Sequence, residues 1–358
     1  MKARIIGIAI LVVVVGGALL YQFVLAPRLG LPTAGGTSVS AVTLKALVGS
    51  EKSNLLEDTQ VKDLMARQFG ISIDYRRAGS IEMMSMDQTG IDFLWPSSRS
   101  AQEVFSASGK TAKKTEIAFS SPIVFYSWNI VGDALAKAGL VRDDAGVSYV
   151  DLAKLLDAAI SDKTWKDLGL SQLNGKVTVT TTDPKLSNSG YQFAGLVANV
   201  FFNDLVDKDS LDKVMPKVKE LFRRQGLMEH STGTLFERYL QLGVGSFPII
   251  VAYENQITEF ALENPDLWKN LKTQIRLLYP SPTVYSEHPV LALSDNGTRM
   301  IEAIQNPEFL KLAWNRHGFR TGLENDPASL GLQGIPKVIT NITRMPTADV
   351  MQSILDQL

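Results

Sequence analysis

The apolar pattern divides the chain into two unequal parts. Residues 5–26, IIGIAILVVVVGGALLYQFVLA, are uncharged and nearly all apolar, and about 20 such residues are what a helix needs to cross the hydrocarbon core of a bilayer. Lys2 and Arg4 precede the run and only Arg28 closely follows it, a bias that puts the amino terminus inside. The run is longer than the apolar region of a secretory signal, about 7–15 residues, and no Ala-x-Ala cleavage site closes it. The expectation is an uncleaved anchor over residues 1–26, with a cleaved signal ending near PTAGG as the other option. In both cases the remainder lies outside the cytoplasm. Residues 27–41, PRLGLPTAGGTSVSA, have Pro, Gly, Ser and Thr without apolar periodicity and read as a linker.

From Val42 on, short β-type runs trade places with helical spacing. AVTLKALVGS ends on Gly-Ser; NLLEDTQVKDLMARQFG has apolar residues at helical intervals and closes on Gly70, a natural C-cap. ISIDYRRAGS and IDFLWPSS are again strands that stop at small polar residues, the second followed by the helical AQEVFSA. This alternation predicts βαβ units and a mostly parallel sheet with flanking helices. The middle carries IAFSSPIVFYSWNIVGD, the helices SYVDLAKLLDAAISD and LDKVMPKVKELFRRQG, and the strands KVTVTTT and FPIIVAYEN; TQIRLLYPSPTVYSEHPVLALS then leads into GTRMIEAIQ and PEFLKLAWNRHG. Two β-rich crossings, near residues 120–130 and 276–290, bracket a central block. The pattern of a second lobe inserted into a first follows, with residues 42–125 and 279–358 as lobe 1, residues 126–278 as lobe 2, and the crossing strands as a hinge.

Composition removes whole classes of chemistry. The 36 basic and 37 acidic residues nearly cancel and form no long block of one sign, so no nucleic-acid partner is expected. Cysteine is absent, which excludes disulfides, thiolate nucleophiles and thiolate metal sites together. His230, His288 and His317 are the three histidines and are scattered, so no metal and no cofactor is expected. LGVGSF around Ser246 lacks the G-x-S-x-G frame of a nucleophile elbow, and the chain is not read as an enzyme.

What remains is the placement of hydroxyl residues. Gly49-Ser50 with Ser53, Ala78-Gly79-Ser80, Ser97-Ser98 and Ser187-Asn188-Ser189-Gly190 each fall where a predicted strand ends and a helix can begin. In open α/β sheets the ligand crevice lies at the carboxyl ends of strands, and helix amino termini there offer unpaired N–H donors and a partial positive charge. The same residue types are also ordinary N-caps, each worth about 1 kcal/mol without any ligand. Aromatics such as Trp95, Phe125, Tyr126 and Trp128 read as packing in β-rich runs, and the Arg76-Arg77 pair as a solvated strand end.

The ordered set LVGS, RAGSIEM, IDFLWPSS, TDPKLSNSGYQF, IIVAYEN and LYPSPTVYSEHPVLAL resembles the extracytoplasmic solute-binding proteins of ABC importers, in particular the bilobed class that includes molybdate- and sulfate-binding proteins. The similarity runs from about Val42 to Phe319. It implies an α/β, two-lobed periplasmic-binding-protein fold of type II, here with an N-terminal transmembrane helix, and it carries ligand contact onto Ser50, Ser80, Ser98, Ser187, Ser189 and Tyr253. Three departures stand out: Ser-Asn-Ser-Gly replaces a Pro-Ala-Gly-like turn, Glu254 directly follows the tyrosine, and the N-terminal anchor read from residues 1–26 differs from the freely diffusing periplasmic form. Strand alternation would turn Glu254 away from the cleft if Tyr253 faces it. The implied function is capture of a small polar or anionic solute between two lobes for delivery to an ABC permease, by a domain held at the membrane. The alternative is a bilobed interaction, assembly or sensory module of a membrane complex with no transport role. A third relation, to porphobilinogen deaminase-like enzymes, lacks the cofactor-attaching cysteine.

Overall fold

The computed structural model describes residues 40–323 and 325–358. The expected membrane anchor and nearly all of the linker lie outside the described residues, among which no helix is long and apolar enough to cross a membrane. Strand β1 (Val42–Val48) alternates its side chains across the sheet: Leu44, Ala46 and Val48 go to one core, and Leu47 to a smaller one on the opposite face. It lies parallel between β2 (Ile71–Arg77) and β3 (Phe93–Trp95). Helices α1 (Ser53–Glu57) and α2 (Thr59–Phe69) make the first crossover. Asp58 caps α2 by accepting the Gln60 N–H at 2.7 Å, and Gly70 ends it with φ of 60°, a conformation open to glycine at little cost. Helices α3 (Glu82–Ser85) and α4 (Arg99–Ala107) cover the other face with Met83, Met84, Ala101 and Phe105.

The fifteen-residue β4 (Lys114–Trp128) joins two regions of the sheet. Its first part, Lys114–Pro122, pairs with β9 (Tyr285–Ala292); its second, Ile123–Trp128, pairs with β7 (Ile249–Tyr253) on one edge and β8 (Ile275–Ser281) on the other. Beyond β8 come β6 (Val147–Asp151) and β5 (Val141–Asp144), giving the order β2-β1-β3-β9-β4-β8-β6-β5 with β7 beside β4. Among the described residues, three of the eight strand pairs are parallel. The expected mostly parallel sheet is therefore mixed. The strands that cross between the two regions run opposite to their neighbours, a property that apolar periodicity does not encode.

Two main cores sit along this sheet. The smaller holds Leu44, Trp95, Phe119, Val290, Phe309 and Phe319, under α2, α12 (Asp295–Ile304) and α13 (Pro307–His317). The larger gathers the second half of β4, β7 and β8 with α5 (Asn129–Lys137), α6 (Leu152–Ile160), α7 (Asn188–Phe202), α8 (Lys208–Arg223) and α9 (Thr232–Leu242). Helices α10 (Asn255–Glu263) and α11 (Pro265–Leu271) follow β7. The final helix, α14 (Ala348–Gln357), buries Val350, Met351, Ile354 and Leu355 in the larger core, as do Leu330, Ile335 and Ile339 before it. Residues 279–358 are expected in lobe 1; the carboxyl-terminal segment instead adds to the larger core, because α14 lays its apolar stripe against α7 and α8.

Candidate functional site

Loops from both cores end at one place. From the smaller core come Gly49 and the 3-10 turn Ser50–Lys52 after β1, and Ala78-Gly79-Ser80 after β2; from the larger come Leu186–Asn188 at the start of α7, His230–Thr232 at the start of α9, and Tyr253 at the end of β7. They enclose a cavity of about 340 Å³. Every strand contributes at its carboxyl end, the arrangement that makes a crevice in an open α/β sheet. Gly190 permits the close approach: a Cβ there would lie 2.3 Å from the Thr182 carbonyl oxygen.

Four of the six expected residues line this cavity: Ser50, Ser80, Ser187 and Tyr253. Ser50 is exposed at its rim. Ser80 is buried, and its hydroxyl accepts the Ser97 N–H at 2.9 Å. Ser187 occupies the N-cap position of α7 but makes no side-chain cap; its Oγ lies 3.3 Å from Ser189 Oγ and 3.4 Å from Thr232 Oγ1. Ser189 is fully buried behind it, 2.8 Å from Thr182 Oγ1 and 2.6 Å from Thr232 Oγ1, and does not reach the cavity. Ser98 is also not brought there. Its hydroxyl accepts the Ala101 N–H at 3.3 Å as the N-cap of α4, and it lines a different cavity with Arg99, Glu103 and Arg320.

Asn188 joins the two sides. Its Nδ2 donates to Tyr253 Oη at 2.9 Å and to the Ser97 carbonyl at 3.0 Å, with Ser286 Oγ at 3.4 Å. Burial pushes the Tyr253 phenol far above its ordinary value, and the Glu51 charge adds to this, so the hydroxyl stays neutral. Glu254 does point away from the cavity, yet not into solvent: it accepts from Arg320 at 2.6 and 2.9 Å and from Tyr279 Oη at 2.6 Å in a buried pair.

Beneath the floor lies a polar cluster that sequence reasoning missed. Lys52 is completely buried; its Nζ donates to the Glu51 carboxylate and to Ser97 Oγ at 3.0 Å, and sits 3.2 Å from His288 Nδ1. Burial lowers the Lys52 pKa, with Glu51 working in the opposite direction. Burial and the Lys52 charge hold His288 well below its usual range, so its ring is neutral and Nδ1 accepts. Ser97 beside Lys52 has the residue types of a Ser–Lys nucleophile pair, but Ser97 is fully buried and its hydroxyl donates to Glu51. The arrangement offers hydroxyls, an amide and backbone groups for binding, and no activated nucleophile. The available signals were Lys52 directly after Gly49-Ser50-Glu51, and Ser231-Thr232 as a further hydroxyl pair at a helix start.

No family model matches the chain, and no curated protein sequence matches it. Its fold is similar to several solved structures. The sulfate-binding protein SubI from Mycobacterium tuberculosis H37Rv superposes with a TM-score of 0.52 at 17% identity, over 82% of this chain and 89% of that one. The periplasmic binding protein P5PA gives 0.56 at 11%, over 88% and 98%. A putative spermidine/putrescine ABC transporter from Listeria monocytogenes gives 0.53 at 12%, over 88% and 97%. The fold is thus a mixed α/β one of the periplasmic-binding-protein kind, and these neighbours are binding and transport proteins rather than enzymes. Sulfate and a polyamine carry opposite charges, so the shared fold does not select the sign of a ligand.

Proposed function

We propose that the chain is a substrate-binding protein that captures a small polar or anionic solute in the crevice between two lobes and delivers it to an ABC-type importer. The observation that carries this is the convergence of strand-end loops from both cores on one polar cavity, with Asn188 bridging the two sides. Ser80, Ser187, Thr232 and Tyr253 supply the contacts, and Ser50 closes the rim. Ser189 acts behind them by holding Thr232. The lobes meet at β4 and close by hinge bending. The apolar residues 5–26, with basic residues ahead of them, tether this domain to the outer face of a membrane; protease added to intact cells should digest it, and full protection until lysis would refute that topology.

The test is a thermal-shift screen with sulfate, molybdate, phosphorylated compounds, amino acids, sugars and amines. A solute that binds only the native state raises the melting temperature by mass action, by about 2.7 kcal/mol of added stability at a hundred times Kd. Absence of a shift from every class, in a protein that melts cooperatively, would overturn capture.

A further inference from the structure

The cavity described above is not closed on all sides. A second chamber of about 790 Å³ adjoins it and shares Ser50, Glu51, Arg77 and Ser231 as lining residues. Its far wall is built by α9, α10 and α11, which present Phe236, Leu240 and Leu267 together with the carboxylates of Glu237, Glu259 and Glu263. Glu237 and Glu263 are exposed on this wall and have no ion-pair partner among the described residues. Arg77, at the junction of the two spaces, is the one basic residue among those described that line the chamber. Opposite, from α1, Ser53 lines the same space; it is 4% exposed and its hydroxyl has no hydrogen-bond partner among the described residues. A buried hydroxyl without a partner is costly unless something fills the role.

We propose that this chamber continues the solute pocket and takes the amine-bearing tail of an extended solute whose polar or anionic head sits among the serines; the assignment rests on the capture reading above. An anion placed there would meet the unpaired carboxylates of Glu237 and Glu263 and the Lys52-paired carboxylate of Glu51 against the one guanidinium of Arg77, whereas an ammonium group meets two unpaired carboxylates, and Ser53 Oγ can accept one of its N–H bonds. The apolar side chains suit the methylenes between head and amine. Burial pushes the Glu259 carboxyl up to about 7, with Glu263 and Glu51 adding to the effect against the opposing contact from His317.

The experiment is calorimetry on the full-length chain with three probes: 6-aminohexanoate, hexanoate and 1,6-diaminohexane. The expected result is that 6-aminohexanoate binds about 5- to 10-fold more tightly than hexanoate, that the diamine also binds, and that the E237Q/E263Q double variant abolishes the preference, since two partly desolvated charge contacts correspond to about tenfold. Both positions are exposed, so the double variant should fold, checked by an unchanged melting temperature. Equal affinity for the two carboxylates, an amine preference that survives the double variant, or no binding of either amine would overturn the chamber assignment. If solutes from the thermal screen still bind in that case, capture stands and only the tail assignment falls; a screen with no hit removes both.

Discussion

Ser98 and Ser187 occupy the same position at the start of their helices, yet only Ser98 spends its hydroxyl on the helix. Replacing Ser98 by Ala should therefore cost about 0.5–2 kcal/mol of stability in urea unfolding and leave solute affinity unchanged. Replacing Ser187 by Ala should do the reverse. Its hydroxyl caps nothing, and a lost contact to a desolvated solute corresponds to roughly 1–3 kcal/mol, or about 5- to 150-fold in Kd. Equal affinity in both variants would return Ser187 to a purely structural role. Beneath them, Lys52 depends on its neighbour: with Glu51 replaced by Ala the buried ammonium keeps Ser97 and His288 as hydrogen-bond partners and the Trp95 ring at 5.9 Å, and loses its counter-charge. A loss on the order of 3–5 kcal/mol is expected. The E51A/K52M double variant should recover much of it, because the uncompensated charge is gone, and failure to recover would show that Glu51 contributes by some route other than pairing with Lys52. Such a lysine is hard to find in a sequence, since its type is exposed almost everywhere; its place directly after Gly49-Ser50-Glu51 puts it at a strand end but does not mark it as buried.

At the scale of elements, the strand ends were legible because each stops on a small polar residue: Gly49-Ser50, Gly79-Ser80 and Ser97-Ser98. What stayed hidden was direction and partnership. The pattern of β9 fits either orientation, and the apolar stripe of α14 says that it packs without saying against what. The contact among α2, α10 and α13 is a further case: His317 Nδ1 lies 2.9 Å from Glu259 and its Nε2 lies 3.3 Å from Asp58, the cap of α2, while Arg316 donates to Asp58 at 2.5 Å. Three distant sequence positions form one network. Because the folded-state pKa of Glu259 lies at about 7, above its ordinary value of 4.5, the folded protein holds a proton that the unfolded chain releases. The corresponding stability is fully present below about 4.5 and is lost as pH rises through about 7. Unfolding free energy measured from pH 5 to pH 8 should fall over this range in the wild-type protein and fall less in E259Q. A slope unaltered by the substitution would assign the pH dependence to other groups.

At the scale of the whole molecule, bound solute should draw the two cores together, and solution scattering should report a smaller radius of gyration with a hit from the screen than without it. An unchanged radius at saturation would mean that binding needs no closure. The place of β9 late in the chain has another consequence, which concerns time. Phe93 pairs with Ala292 and Ile117 with Pro289, and the smaller core is completed by Phe309 and Phe319. A ribosome making this chain from its amino end therefore releases β1, β2 and β3 long before the strand that closes their sheet exists. Until then β3 presents an open edge, and the loops that would grip a solute have no fixed positions. Nascent chains arrested at successive lengths should develop pulling force only after Phe319 has cleared the exit tunnel. For the export topology proposed above, in which the chain crosses a membrane as an extended thread, this delay is an advantage, because the contacts that would jam passage are the last to be made.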